Sequence, residues 1–402
     1  MIHQFRVSNF QSVREEISVD FRVPGTSPEL PCFRRSPSRP DARIPSVIAL
    51  FGHNGSGKTT LLRSLVLTLG FAANSYEQPG YINRFIPFLT AERANYPTRV
   101  EVYIDGKWLY SGNGDGFLYR YTLEIARAGD GISSTSPVVA YEAIHVFPKG
   151  RPFRLLERHR NHPIYIAREL GVSQRDDRLM SVPPEASAIS TLGKMGVGPF
   201  SNLTQDIRNM STNVAGSDPW RPDTDSIIRL YRDKPELLAA VSEKLQRFDL
   251  GINGLEIMPV SDKQSEMVFR HHGLAVPVML HAESAGARHL AHMFPLLEYV
   301  LRTGGLAIMD SLDSDFHTEL ALEILSWFRA EETNPNKAQL ICSLHNPAIL
   351  DDLEKEELYI VEKNSDGVTC MYGLREVRGL RRDVSLQKQY RGGYLGGLPV
   401  FG

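Results

Sequence analysis

Apolar and polar residues alternate at the start of the chain, at Phe5 and Val7 and again at Ile17, Val19, Phe21 and Val23. A period of two puts each set on one face of a strand, so residues 1–23 are expected to hold two antiparallel strands. Residues 24–45 carry Pro24, Pro28, Pro31, Pro37, Pro40 and Pro45, which predicts a loop or a small insertion. The unbroken apolar run Val47-Ile48-Ala49-Leu50-Phe51 predicts a short buried strand. Beyond it, Leu61, Leu62, Leu65, Val66 and Leu69 recur at helical spacing between Thr60 and Leu69. An irregular stretch from Pro79 to Pro97 follows. Alternation then resumes in Val100–Ile104, in the set Phe117, Tyr119, Tyr121, Leu123 and Ile125, and in Val138–Val146, with a turn at Asn113-Gly114-Asp115-Gly116. Together these strands predict an antiparallel β lobe.

Residues 185–250 read as mainly helical, interrupted by Pro199, Pro219, Pro222 and Pro235. The best helix is Pro235–Phe248, with Leu237, Leu238, Val241, Leu245 and Phe248 on one face. No heptad is sustained, so no long coiled coil is expected. From Gly251 onward strands and helices alternate, with apolar strands at Leu306–Asp310, Leu340–Leu344 and Tyr359–Lys363. The fold class is α/β, and no internal repeat or low-complexity segment interrupts it.

The length of 402 residues accommodates one large α/β domain with insertions, or two domains. With 45 basic against 47 acidic side chains the formal net charge is −2, so no global excess points to nucleic acid or a membrane. Cys32, Cys342 and Cys370 lie far apart and form neither a disulfide framework nor a zinc pattern, which favours a reducing cytoplasm. Met1–Phe5 lacks the charged and apolar regions of a signal peptide, and no apolar run reaches the roughly 18–20 residues of a membrane span.

The chemistry starts at Gly52-His53-Asn54-Gly55-Ser56-Gly57-Lys58-Thr59, which fits the phosphate-loop pattern G-x-x-x-x-G-K-[ST] without mismatch. Strand before and helix after are the context that motif requires. Backbone N–H groups of Asn54, Gly55, Ser56, Gly57 and Thr60 are expected to cradle phosphates at a helix N-terminus. Lys58 is expected to meet the outer phosphates and Thr59 to hold Mg²⁺, which implies ATP·Mg²⁺ as cofactor. Asp310, ending the strand LAIM, suits a Walker B aspartate that holds the same ion through water. Gln78 cannot be assigned a role from sequence. The basic cluster Arg154, Arg158, His159 and Arg160 reads equally as a solvated face or as a contact for nucleic acid or a partner. The carboxylates Asp351, Asp352, Glu354, Glu356 and Glu357 read as the solvated face of a helix, and His289 and His292 as packing or surface residues.

Further elements, in order, carry a resemblance. Glu283-Ser284-Ala285-Gly286-Ala287-Arg288 precedes a helix and resembles the signature motif of ABC-type ATPases, with Ser284 and Gly286 matching its serine and second glycine. Ser311-Leu312-Asp313-Ser314 stands where that class has its D-loop, and His345 where it has its switch histidine. Asn9-Phe10-Gln11-Ser12 resembles the opening of SMC, RecF and OLD-type ATPases. Phe147-Pro148-Lys149-Gly150-Arg151, LAIMDSLDSDFH and the closing Tyr-Leu-Gly-Gly-Leu-Pro resemble the abortive-infection (AbiLii-like) ATP-binding proteins of bacterial phage defence. The resemblance implies one composite ABC-type head over residues 1–402. Its expected parts are an N-terminal lobe (1–150), a mainly helical insertion (151–250) and a C-terminal lobe (251–402) bearing signature, Walker B, D-loop and switch histidine.

One position departs from the family. Where relatives carry a glutamate after the Walker B aspartate, this chain has Ser311, which cannot act as a base at neutral pH and reaches less far. Asp310, Ser311 and His345 are therefore the expected catalytic set, with slow hydrolysis. Asp313 is expected to face a partner head, and Asp315 lies nearby. The expected assembly is a homo-oligomer of ATP-sandwiched heads controlling a separate effector protein. A RecF-like clamp on DNA, using Arg151–Arg168 or Arg375–Arg382, is the second reading, and a transporter ATPase subunit the third.

Overall fold

The computed structural model describes residues 1–90, 92–107, 109, 116–127, 136–160, 162–214, 223–248, 251–261, 265–314 and 317–398. Asn113–Asp115 of the expected turn, Pro219, Pro222 and Asp315 lie outside the described residues. The expected α/β architecture is present. Its centre is a six-stranded sheet in the order Ser211–Thr212, Leu306–Met309, Gln339–Leu344, Val47–Phe51, Leu358–Lys363, Thr369–Gly373. The first five strands run parallel, and the last pairs antiparallel with Leu358–Lys363.

A parallel sheet buried on both faces needs apolar side chains at successive positions, and the strand before the phosphate loop supplies them. Ile48 and Leu50 join one core; Val47, Ala49 and Phe51 join the other. The first core is shared with the helix Lys58–Asn74 and the β lobe. The second is shared with the helices Thr224–Asp233, Pro235–Arg247, Ala285–Thr303 and Thr318–Arg329.

The β lobe is a seven-stranded antiparallel sheet, in the order Tyr165–Ile166, Phe153–His159, Pro137–Val146, Phe117–Arg127, Thr98–Gly106, Ile2–Ser8, Ile17–Asp20. The N-terminal hairpin is thus an edge of a larger sheet whose remaining strands begin at Thr98 and end at Ile166. The segment 24–45 contains a small hairpin, Phe33–Arg35 with Arg43–Pro45. The region after residue 185 is helical as expected, through Ala188–Lys194, Phe200–Arg208, Thr224–Asp233 and Pro235–Arg247. Among the described residues the longest helix is the 19-residue Ala285–Thr303, so no long coiled coil is present there.

Two sequence expectations fail here. Arg158 does not belong to a solvated basic face, because Phe153–His159 is a strand of the lobe. Its guanidinium is buried, donates to Ala186 O and Pro183 O at 2.7 Å each, and lies 3.8 Å from Glu142. Glu142 is itself fully buried and accepts from Tyr121 Oη (3.0 Å), Ala188 N (2.8 Å) and the Ser187 hydroxyl, tying the lobe to the helical region. Nor do the carboxylates after residue 350 form one solvated face. Glu356 and Glu357 are buried, Glu357 beside the Arg329 guanidinium at 3.1 Å and Glu356 beside Arg382 and Ser27. The chain there enters a central strand of the sheet instead of continuing as a surface helix.

Candidate functional site

The phosphate loop runs from the end of Val47–Phe51 to the helix Lys58–Asn74, as expected. Gly55 (φ 81°) and Gly57 (φ 111°) turn the backbone through the left-handed region. No side chain caps the helix and its first turn holds no acidic residue, so its opening N–H groups present a positive end. Lys58 is buried at the centre and its Nζ donates to Gly52 O (2.6 Å) and His53 O (3.0 Å). Burial holds its pKa down to about 8, offset in part by the charges of Asp310 and Asp313.

Three strand ends meet at Asp310. Thr59 Oγ1 donates to its Oδ2 at 2.7 Å and Ser343 Oγ to its Oδ1 at 2.6 Å. Asn213, just past the edge strand, accepts from Asp310 N at 2.7 Å and donates to Asp310 O at 2.9 Å. The Thr59 hydroxyl and the Asp310 carboxylate are hard oxygen donors side by side, the donor type Mg²⁺ takes.

Ser311 adopts a left-handed conformation (φ 52°), a turn that a non-glycine residue makes only under local constraint. Its N–H donates to Ser343 Oγ at 2.7 Å, and its hydroxyl lies 3.1 Å from His345 Nε2. Burial, and then the charge of Lys58, hold His345 below the ordinary imidazole range. Asp313 is turned inward: its Oδ2 accepts from His345 N (2.8 Å) and Asn346 N (2.6 Å). One carboxylate oxygen therefore fixes the histidine turn of its own chain.

Ser284 caps the helix Ala285–Thr303 by accepting from Ala287 N at 3.2 Å, with Gly286 in the first turn. Glu283 is held by His271, and its second oxygen accepts from Ser284 N at 3.2 Å. The signature segment is thus built as a helix N-terminus with exposed Ser284.

Gln78 lies past the far end of the helix Lys58–Asn74, about 25 Å from the phosphate loop at 1.5 Å per residue. Gln11 is the glutamine at the site: its Oε1 accepts from Thr60 Oγ1 (3.4 Å) and Arg63 Nη1 (3.3 Å). Beside it Ser12 Oγ lies 2.8 Å from Thr369 Oγ1, which donates to Ser56 O at 3.1 Å. The roles of Asn213 and Thr369 were not visible in the sequence, since neither sits in a motif. Several arginines of the two basic segments are engaged within the chain, while Arg151, Arg160, Arg168 and Arg378 are exposed. Arg154 pairs with Glu157 and stacks 3.9 Å from the Tyr165 ring centre; Arg375 donates to Asp20 O and Arg22 O; Arg381 pairs with Asp383 and Arg382 with Glu354 and Glu356.

Residues 47–351 match the family described as AAA domain, putative AbiEii toxin, Type IV TA system, a span of more than half the chain. The chain belongs to this family. With the intact phosphate loop, membership makes it an ATP-binding P-loop ATPase. Among curated proteins none matches. Among solved structures it is similar to the SMC head domain from Thermotoga maritima, at 14% identity and TM-score 0.40, over 92% of this chain and 98% of that one. It is also similar to the Smc head domain with a coiled coil and joint from Pyrococcus yayanosii, at 11% identity and TM-score 0.49, over 97% and 99%. Among the described residues of this family member, no helix is long and apolar enough to cross a membrane.

The two loop glycines separate backbone strain from steric closure. A Cβ on Gly57 would stand 2.1 Å from Thr369 Oγ1, whereas one on Gly55 meets nothing within 4 Å. Gly55→Ala is expected to weaken binding of a fluorescent ATP analogue about tenfold, the cost of about 1–2 kcal/mol of left-handed strain. Gly57→Ala is expected to weaken it more than about a hundredfold, since the loop must also leave Thr369. Equal losses in titrations of the two folded variants would remove Thr369 as the loop's backstop.

Proposed function

We propose that this ATPase is a switch of a bacterial anti-phage defence system: ATP·Mg²⁺ joins heads, and the loaded assembly controls a separate effector protein. The family description, with its toxin–antitoxin context, supports the biology. The observation that carries the mechanism is the Ser311 hydroxyl 3.1 Å from His345 Nε2, on the position after the Asp310 carboxylate. In this reading Gly52–Thr60 bind the phosphates, and Mg²⁺ supplies charge neutralisation when held by Thr59 and, through water, Asp310. His345 reaches toward the γ-phosphate side. Ser311 does not take a proton from water, so hydrolysis is slow and the loaded state persists. Ser284 and Gly286 of one head close on the nucleotide of another through the helix N-terminus. The RecF-like reading draws less support, because Arg154, Arg158, Arg381 and Arg382 of the candidate basic segments lie beside carboxylates of the same chain and Arg375 is committed to two backbone carbonyls.

Two measurements test this. Light scattering with ATP and Mg²⁺ is expected to show wild type gaining mass while Gly286→Asp, which sets a carboxylate against the γ-phosphate, stays unassembled. Equal assembly of both would take the signature segment out of the interface. Steady-state phosphate release is expected to rise at least about tenfold in Ser311→Glu, toward the 10²–10⁴-fold that general-base groups contribute. Brisk wild-type turnover, or a folded, ATP-binding Ser311→Glu with no gain, would contradict the assigned role.

A further inference from the structure

A cavity of about 470 Å³ opens between the helix Ala285–Thr303, the turn Leu280–Ala282 and the strand Ser211–Thr212. Small-molecule sites span roughly 300–1,000 Å³, so it is large enough for one. Its charge is one-sided. His281, Arg288, His289 and His292 line it, and none of the described residues lining it is acidic. Arg288 and His292 stand four apart on the helix with His289 between them, so guanidinium and imidazoles share one face. His292 is held in place: its Nδ1 donates to Arg288 O at 2.7 Å, and its Nε2 lies 3.0 Å from Thr224 Oγ1. Met293 and Leu296 supply an apolar wall.

Imidazoles in a cavity invite a metal, but the arrangement rejects one. Among the described residues no three His, Cys, Asp or Glu side chains converge on a metal position. A permanently charged guanidinium beside the rings also repels a cation. The same groups suit an anion: the Arg288 guanidinium offers a planar fork to phosphate oxygens, and the exposed His281 imidazole adds a donor.

We infer that this cavity is a second anion site, taking a phosphorylated small molecule whose organic body rests on the Met293–Leu296 wall. The cavity also touches the ATP site. Asn213 lines it, and the Asn213 amide makes both hydrogen bonds to the Asp310 backbone, at 2.7 and 2.9 Å. A ligand drawing on Asn213 acts on the backbone that aims the Walker B carboxylate, and such coupling is reciprocal. The coupling rests on the ATP site proposed above; the binding of the anion does not.

The test uses the full chain carrying Lys58→Ala, which disables the phosphate loop, in separate calorimetric titrations with AMP and with inorganic pyrophosphate. At least one probe is expected to bind at one site per chain. Arg288→Glu in the same background, at an exposed position, is expected to weaken that binding more than about tenfold. His292→Glu, the second variant, is expected to do the same if the first misfolds. No binding of either probe to folded Lys58→Ala protein overturns the inference, as does undiminished binding in the charge-reversed variants. A wild-type chain that fails to bind MgATP while AMP or pyrophosphate still binds would sink the ATP switch and leave this site standing.

Discussion

The Asp310 carboxylate is gripped from two sides, by the Thr59 hydroxyl at 2.7 Å and the Ser343 hydroxyl at 2.6 Å. Those three residues end or follow three neighbouring parallel strands, so the grip works only if the strands stay in register. Register in turn depends on the alternate burial of Val47–Phe51 into two cores, because a slip of one residue would exchange every side chain between them. The site is therefore a consequence of sheet packing. A carboxylate left in this half-buried position without its hydroxyl donors would be costly to desolvate, by several kcal/mol.

Backbone closeness is the second constraint. A Cβ at Gly52 would stand 2.1 Å from Val361 O, so the loop can leave its strand only without a side chain there. The closing glycines of the chain serve the same purpose from the other direction. Gly397 O accepts from His53 N (3.1 Å) and Tyr390 Oη (2.8 Å), and Gly397 N donates to Glu362 Oε2 at 2.8 Å. The phosphate loop is thus braced by the C-terminal strap, by Thr369 and by the Ser12 hairpin, three segments remote in sequence. This bracing leaves the helix N-terminus open and the loop preformed.

Much of this was legible beforehand because the informative signals are local. An intact motif between an apolar run and a helical periodicity fixes its own strand, turn and helix, and a carboxylate ending an apolar strand stands at the sheet's ligand edge. What stayed hidden was decided by distant partners. Arg158 reads as surface charge until Glu142 and two carbonyls enclose it, and Glu357 until Arg329 reaches it. That one Asp313 oxygen accepts from the His345 and Asn346 amides had no signal in the sequence, because the turn it holds lies 32 residues on. Gln78 was the glutamine at hand in sequence, yet the helix length removes it from the site and the hairpin supplies Gln11. Asn213 has no motif at all; only the pairing of a two-residue strand with Leu306–Met309 brings it to Asp310.

The central claim is that the loop at Gly52–Thr59, closed on Asp310, holds MgATP. Calorimetry of MgATP with wild type and Lys58→Ala tests it most directly, with circular dichroism to show that both are folded. The account predicts a tight site at the phosphate loop in the wild type and a loss of its affinity of at least about a hundredfold, about 2.7 kcal/mol, when the buried ammonium is removed. Unchanged MgATP affinity in a folded Lys58→Ala protein would contradict it.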